Sequence, residues 1–213
     1  PAWSRLAGVE NLRPGAMDKL GLGHKVLREH NPRLVYAMLS GFGRLEGYRG
    51  PYWDRPSFDI VAEAMGGIMH LVGPEDGPPM QTIMGMADLY AGLVTAYGIM
   101  AALFQREHTQ EGGVVDVAMY DSVVSLNERP LVNYSFTGEV AHRGRERYLG
   151  PRGAFQCKDG YIAINVPTDE IWERLARAIG RDDLIGHPNT IDAPTRARNK
   201  NFVRAKKWRN NSH

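Results

Sequence analysis

The chain has 213 residues, 43% of them hydrophobic and 23% charged, with a formal net charge of +2. That length suits one large domain, or one and a half ordinary ones, with a proper core. The charge is too small to mark a nucleic-acid binder, and most of the basic excess sits in the last stretch, "RARNKNFVRAKKWRNNSH". The only cysteine, Cys157, rules out an intrachain disulfide and fits a reducing, cytoplasmic location. No signal peptide opens the chain, and no apolar run of about 18 residues predicts a membrane span.

In chain order, "PAWSRLAGVE" carries no clear strand pattern, and "AMDKLGLGHKVLREHNP" reads as one or two short helices punctuated by Gly21 and Gly23. Leu34, Val35 and Tyr36 form a buried-type strand closed by Gly41 and Gly43. "GRLEGYRGPYWDRPS" is a loop. "FDIVAEAMGGIMHLVG" predicts a helix with Phe58, Val61, Met65 and Met69 on its apolar face and Glu63 as an outward charge. A long helix follows over about 84–107, then a strand over Val114–Val117 and a helix over Met119–Asn127.

From Arg129 to Gly153 the periodicity fails, and "TGEVAHRGRERYLGPRG" reads as a linker. A hairpin is expected with Lys158-Asp159-Gly160 at its turn, Cys157 being a small core residue of its first strand. "TDEIWERLARAIG" predicts a helix capped by Thr168 and ended by Gly180. His24, His70 and His142 are scattered, and no pair has metal-ligand spacing.

The long helix holds one acid near its start, Asp88, beside a small-residue stripe of Ala87, Ala91, Gly98 and Ala102. Gly92, one turn on, leaves room above the carboxylate. Two readings stand on the residues alone. A first-turn acid is favoured by the helix dipole by about 0.3–1 kcal/mol. Alternatively, the carboxylate is a nucleophile in a partly dry cleft, with free backbone N–H groups available to an oxyanion.

Six stretches in order, "ENLRPGAMDKLGLG", "NPRLVYAMLSGFG", "GPYWDRPSFDIVAEAMGGIM", "MADLYAGLVTAYGIMAALFQRE", "VVDVAMYDS" and "KDGYIAINV", resemble the family III (CaiB/BaiF) CoA-transferases over about Glu10 to Asn199. The resemblance implies an α/β fold: a Rossmann-like CoA-binding large domain in 1–140, a linker in 141–153 and the start of a smaller α+β domain in 154–213. It implies that Asp88, 30 residues after Phe58, is the aspartate acylated during CoA transfer from a thioester to a carboxylic acid. It implies CoA contacts at Asn11, Leu12, Arg13, Lys19, Arg55, Pro56, Ser57 and Phe58. Coenzyme A enters as substrate, and no metal or redox cofactor is implied. The expected partners are an acyl-CoA and a carboxylic acid, with an interlocked homodimer implied for the full-length family and neither nucleic acid nor membrane. The segment Leu149–Gly153 matches the place of a glycine loop in some relatives but lacks its run of glycines.

A racemase of the same fold pairs the aspartate with a histidine in a Gly-His-Asp stretch that aligns with Ser57-Phe58-Asp59. Phe58 cannot take a proton, so the departure favours transfer over two-base racemisation. The family's members are about twice this length, and "FVRAKKWRNNSH" departs from their pattern. An inactive partial chain is therefore the non-enzyme alternative.

Overall fold

The computed structural model describes residues 7–143, 151–157, 159–199 and 202–203. The chain forms two compact units, Pro1–Arg145 and Glu146–His213. The expected departure after Val203 and the Leu149–Gly150 part of the glycine segment lie outside the described residues.

In the first unit, β1 (Ala7–Glu10), β2 (Val35–Ser40) and β3 (Val114–Ala118) make a parallel sheet in the order β1-β2-β3. Parallel neighbours need crossovers. The first is built from α1 (Ala16–Lys19) and α2 (His24–His30), the second from α3 (Asp59–Met65), α4 (Ile68–Leu71) and α5 (Met86–Thr109). Helices α6 (Met119–Leu126) and α7 (Glu128–Thr137) follow. The central strand is buried on both faces, which is why Leu34 to Met38 is an unbroken apolar run rather than an alternation. Leu27, Leu34, Tyr36 and Met38 form one core cluster, and Ala62, Ala87, Ala91, Val117, Met119 and Val123 another.

The small-residue stripe of α5 lies against this second cluster. A Cβ on Gly98 would stand 2.6 Å from Val115 Cγ1, so the missing side chain is what lets the helix approach β3. Gly66 serves α3 in the same way, because a Cβ there would meet Val123 Cγ1 at 2.6 Å. Gly67, at φ 86, then breaks the predicted single helix into α3 and α4.

Several expectations are corrected. The opening stretch does form a strand: β1 is short and pairs with β2 through four residues, too few for a pattern to show. The buried face of α3 is Ala62 and Glu63, whereas Phe58 and Met65 are exposed. Glu63 is 0% exposed, not an outward charge, because Thr82 supplies hydrogen bonds from its N–H and its hydroxyl. Residues 128–137 are helical, although the helical periodicity fails from Arg129 onward. Pro130 falls in the first turn of α7, where no intrahelical donor is lost, and Gly138 ends the helix at φ 69. An apolar helix of spanning length also exists. Met86–Thr109 is 24 residues long with a mean hydropathy of 1.5 over an 18-residue window, enough by length and composition alone to cross a membrane.

In the second unit, β4 (Arg152–Gln156) pairs antiparallel with β5 (Tyr161–Asn165), followed by α8 (Asp169–Ala178), a 3-10 turn (Asp182–Leu184) and α9 (Ala193–Arg198). Thr168 caps α8 by accepting from Ile171 N at 3.3 Å. Its core is Val166, Trp172, Ala176, Leu184 and Val203. Arg196 is buried there, donating to Thr190 O at 3.0 Å and to Asp169, with its guanidinium 5.2 Å from the Trp172 ring. Cys157 is half-buried just past β4 rather than in the core, its thiol 3.7 Å from Asp159 Oδ1.

Candidate active site

The strands of a parallel sheet end on one edge, and ligands bind outside those carboxyl ends. Here the edge is marked by Glu10, Ser40 and Ala118. The loops leaving it are 11–15 and 41–58, and the start of α5 is tied to α3, which opens directly after the second loop.

The first loop is built on a buried ion pair. Arg44 and Glu10 hold each other with side chains only 7% exposed. Arg44 Nη1 donates to Leu12 O at 2.8 Å, and Leu12 N donates to Glu10 Oε2 at 2.9 Å. Arg44 itself is fixed by Asp116 of β3, whose Oδ2 accepts from the backbone N–H groups of Arg44 and Leu45 at 2.6 and 2.7 Å. The turn Asn11–Arg13 is therefore pinned at Leu12 from both sides, while all three residues remain exposed to solvent. Beside it lies an open cleft of about 220 Å³, lined among others by Glu10, Asp18, His24, Lys25, Arg49 and Trp53. Arg49 stacks 4.0 Å over the Trp53 ring. Burial lowers the His24 pKa. Burial, followed by the charge of Glu10, pushes the Tyr36 hydroxyl up to about 12, and it stays a donor to Leu22 O at 3.3 Å. Arg13 and Lys19 are exposed near this cleft but do not line it.

In the second loop, Arg55 lies 4.6 Å over Tyr52, whose ring meets Phe42, which in turn meets Tyr120 at the start of α6. Pro56 is exposed and Ser57 half-buried. Phe58 is 78% exposed, immediately before α3. This segment lies directly on Gly41, where a Cβ would come within 2.3 Å of Ser57 Cβ. Gly41→Ala must displace Arg55–Phe58 or distort the end of β2. The expected cost is about 1–3 kcal/mol, read as a lowered urea midpoint at unchanged slope. An unchanged midpoint would show that the contact yields freely.

Asp88 lies in the first turn of α5, exposed, with Gly92 facing open space one turn on. Although exposed, its carboxyl is partly desolvated, and its pKa is raised first by that loss of water and then by the charge of Asp59. No cation among the described residues contributes to that shift. The backbone N–H groups around it are not free, which overturns the expectation of an oxyanion site at this helix start. Asp59 Oδ1 accepts from Ala87 N at 2.7 Å and Asp88 N at 3.4 Å, and its Oδ2 accepts from Gly85 N at 3.0 Å. Met86 N donates to Ile83 O. Glycine at the N-cap gives α5 no side-chain cap of its own, so Asp59 caps it from another helix.

The fold thus ties Asp88 to Asp59 and, through the chain, to Phe58 and Ser57, and it builds the Asn11–Arg13 turn on the same sheet edge. Sequence reasoning missed Asp59, Glu63, Arg44 and Asp116. Asp59 alone left a signal, an acid in the first turn of a predicted helix. Histidines 70 and 142, 72 positions apart, do meet, with ring nitrogens 3.1 Å apart. No group of three or more His, Cys, Asp or Glu suited to a metal gathers among the described residues.

A family model described as CoA-transferase family III matches residues 7–208. The chain belongs to CoA-transferase family III. Among similar relatives is a succinyl-CoA:mesaconate CoA-transferase of Haloarcula marismortui, 42% identical over 200 residues that make up 92% of this chain and 50% of the relative. A formyl-CoA:oxalate CoA-transferase of Streptomyces coelicolor is 37% identical, covering 94% of this chain and 52% of the relative. A solved CAIB/BAIF family protein from Brucella suis superposes with a TM-score of 0.81 at 27% identity, covering 99% of this chain and 56% of that one. The chain spans about half the length of the curated family III relatives it matches.

Proposed function

We propose that this chain carries the nucleophile-bearing part of a CoA-transferase that moves CoA from an acyl-CoA thioester to a carboxylic acid through acylated Asp88. The observation that carries this reading is the state of Asp88. It is exposed, has open space over Gly92, and has a carboxyl pKa raised by partial desolvation at the helix surface and by a neighbouring acid. A purely structural first-turn acid would be expected to bond its own helix, and here Asp59 does that instead.

An Asp88 oxygen attacks the thioester carbonyl, the C–S bond breaks, and the CoA thiolate leaves behind a mixed anhydride. The thiolate returns to the aspartyl carbonyl, releasing the donor acid and leaving an aspartyl-CoA thioester. The acceptor carboxylate attacks that thioester and expels the thiolate once more. The thiolate then takes the acceptor's acyl group and frees Asp88. No atom changes oxidation state. The Asn11–Arg13 turn, Lys19 and the Arg55–Phe58 segment would hold the CoA portion, their cations matching its phosphates.

The relatives named above act on succinyl-CoA with mesaconate and on formyl-CoA with oxalate, so short dicarboxylates are the acceptors we assign. A homodimer in the whole protein is supported by the apolar outer face of α5, where Leu89, Leu93, Met100 and Phe104 are exposed. The test is CoA transfer by the purified protein, with succinyl-, acetyl- and formyl-CoA each offered mesaconate, oxalate or succinate. A new acyl-CoA in at least one pairing is expected. Folded protein that yields none in any pairing would count against the reading.

A further inference from the structure

Helix α3 carries two carboxylates one turn apart, and both grip the segment that presents Asp88. Asp59 accepts from Gln81 Nε2 at 2.8 Å, from Gly85 N at 3.0 Å and from Ala87 N at 2.7 Å, with Asp88 N at 3.4 Å. Glu63 accepts from Thr82 N at 2.9 Å and Thr82 Oγ1 at 2.8 Å. Between them they hold the loop 81–85 and the first turn of α5. Glu63 is fully buried, and its Oε1 has no hydrogen-bond partner among the described residues. Burying a carboxylate at that cost makes sense where it fixes a segment whose position matters.

We infer that α3 is a two-carboxylate clamp in which Asp59 is a positioning residue for Asp88. This rests on the reading of Asp88 as the nucleophile. Asp59 acts in two ways. By taking the N–H groups of the first turn it fixes the backbone from which Asp88 projects. By placing a negative charge behind that turn it opposes ionisation of Asp88. A carboxylate that holds its proton more tightly is the stronger nucleophile once ionised. Among the described residues, Asp59 is the one ionisable group whose charge contributes to the state of Asp88. Glu63 grips the loop farther back and contributes no such charge. It is therefore the internal control: a clamp residue with the mechanical role but not the electrostatic one.

The experiment compares Asp59→Asn and Glu63→Gln with the parent chain by two readouts. The first is the titration of the Asp88 carboxyl carbon by NMR, with amide exchange of Gly85 and Ala87 followed alongside. The second is the rate at which hydroxylamine traps acylated Asp88 in the presence of acyl-CoA. Asp59→Asn keeps the side-chain shape and one acceptor oxygen but removes the charge. It is expected to move the Asp88 titration to lower pH, to speed exchange of Gly85 and Ala87 at least about tenfold, and to slow trapping at least about tenfold. Glu63→Gln is expected to lower thermal stability while leaving the Asp88 titration in place. An Asp88 titration unmoved by Asp59→Asn, or moved equally by Glu63→Gln, would overturn the clamp as a positioning device. If Asp88 is never trapped in the parent chain, the nucleophile reading fails instead, and the titration still decides whether Asp59 governs Asp88.

Discussion

Asp88→Ala is expected to lower CoA transfer by at least about a thousandfold, because removing a covalent nucleophile takes away the first bond of the reaction rather than one contact among many. The loss should fall on kcat, with binding of acyl-CoA little changed, since the cationic and loop residues assigned to CoA lie elsewhere on the sheet edge. In the parent protein the acid limb of the rate should lie above that of an ordinary aspartate, because the Asp88 pKa is raised and only the ionised form attacks.

The same shift gives the sign of the stability effect. A carboxyl whose folded-state pKa exceeds its unfolded value binds its proton more tightly when folded. Stability is therefore lost as pH rises from the unfolded value through the raised one. At pH 7 Asp88→Ala removes a disfavoured charge, so its unfolding midpoint should equal or exceed the parent's. A large drop in midpoint would assign Asp88 a structural role.

Arg44→Ala should destabilise the first unit by about 3–5 kcal/mol, the range for leaving a buried charge without its partner. Glu10, only 7% exposed beside Arg44, would lose that partner and keep the Leu12 N–H as a donor. Arg44→Met fills the space but strands the same charge, so it should cost nearly as much. The pair Arg44→Met with Glu10→Leu should recover most of the loss, because an apolar replacement of both ions removes the desolvation cost along with the attraction. Native-state amide exchange at Val35–Met38, in the buried central strand, isolates this unit from the second. A cost below about 1 kcal/mol would place the pair with surface ion pairs. The Asn11–Arg13 turn should loosen in step, since Leu12 loses the Arg44 donor to its carbonyl.

The parts of the fold legible in the sequence were those whose signal is local. The buried run at Leu34–Tyr36, the small-residue stripe of α5, the Thr168 cap and the hairpin each declare themselves within a few residues. What escaped was set by partners distant in sequence. Glu63 reads as a surface charge until Thr82, 19 positions away, supplies its donors. Arg44 reads as a loop cation until Glu10, 34 positions away, closes on it. The apolar residues Phe58 and Met65 mark a helical face, yet the face that packs is Ala62 and Glu63, because Gly66 admits Val123 there.

The site was legible to a similar degree. Asp88 stood out as the one acid near the start of a small-residue helix. The device that holds it did not, since no pattern ties residue 59 to the amides of 85–88. Free N–H groups at that helix start were expected from helix geometry alone, and the cap supplied by α3 occupies them.

The most direct test of covalent catalysis at Asp88 is intact-mass spectrometry after incubation with a panel of acyl-CoA thioesters and hydroxylamine, beside Asp88→Ala. Hydroxylamine converts an activated aspartyl to a hydroxamate, a gain of about 15 Da. A gain that maps by peptide fragmentation to Asp88 and vanishes in the variant is the predicted result. Folded protein that gains no mass with any acyl-CoA, or gains it at another residue, would contradict an aspartyl intermediate at Asp88.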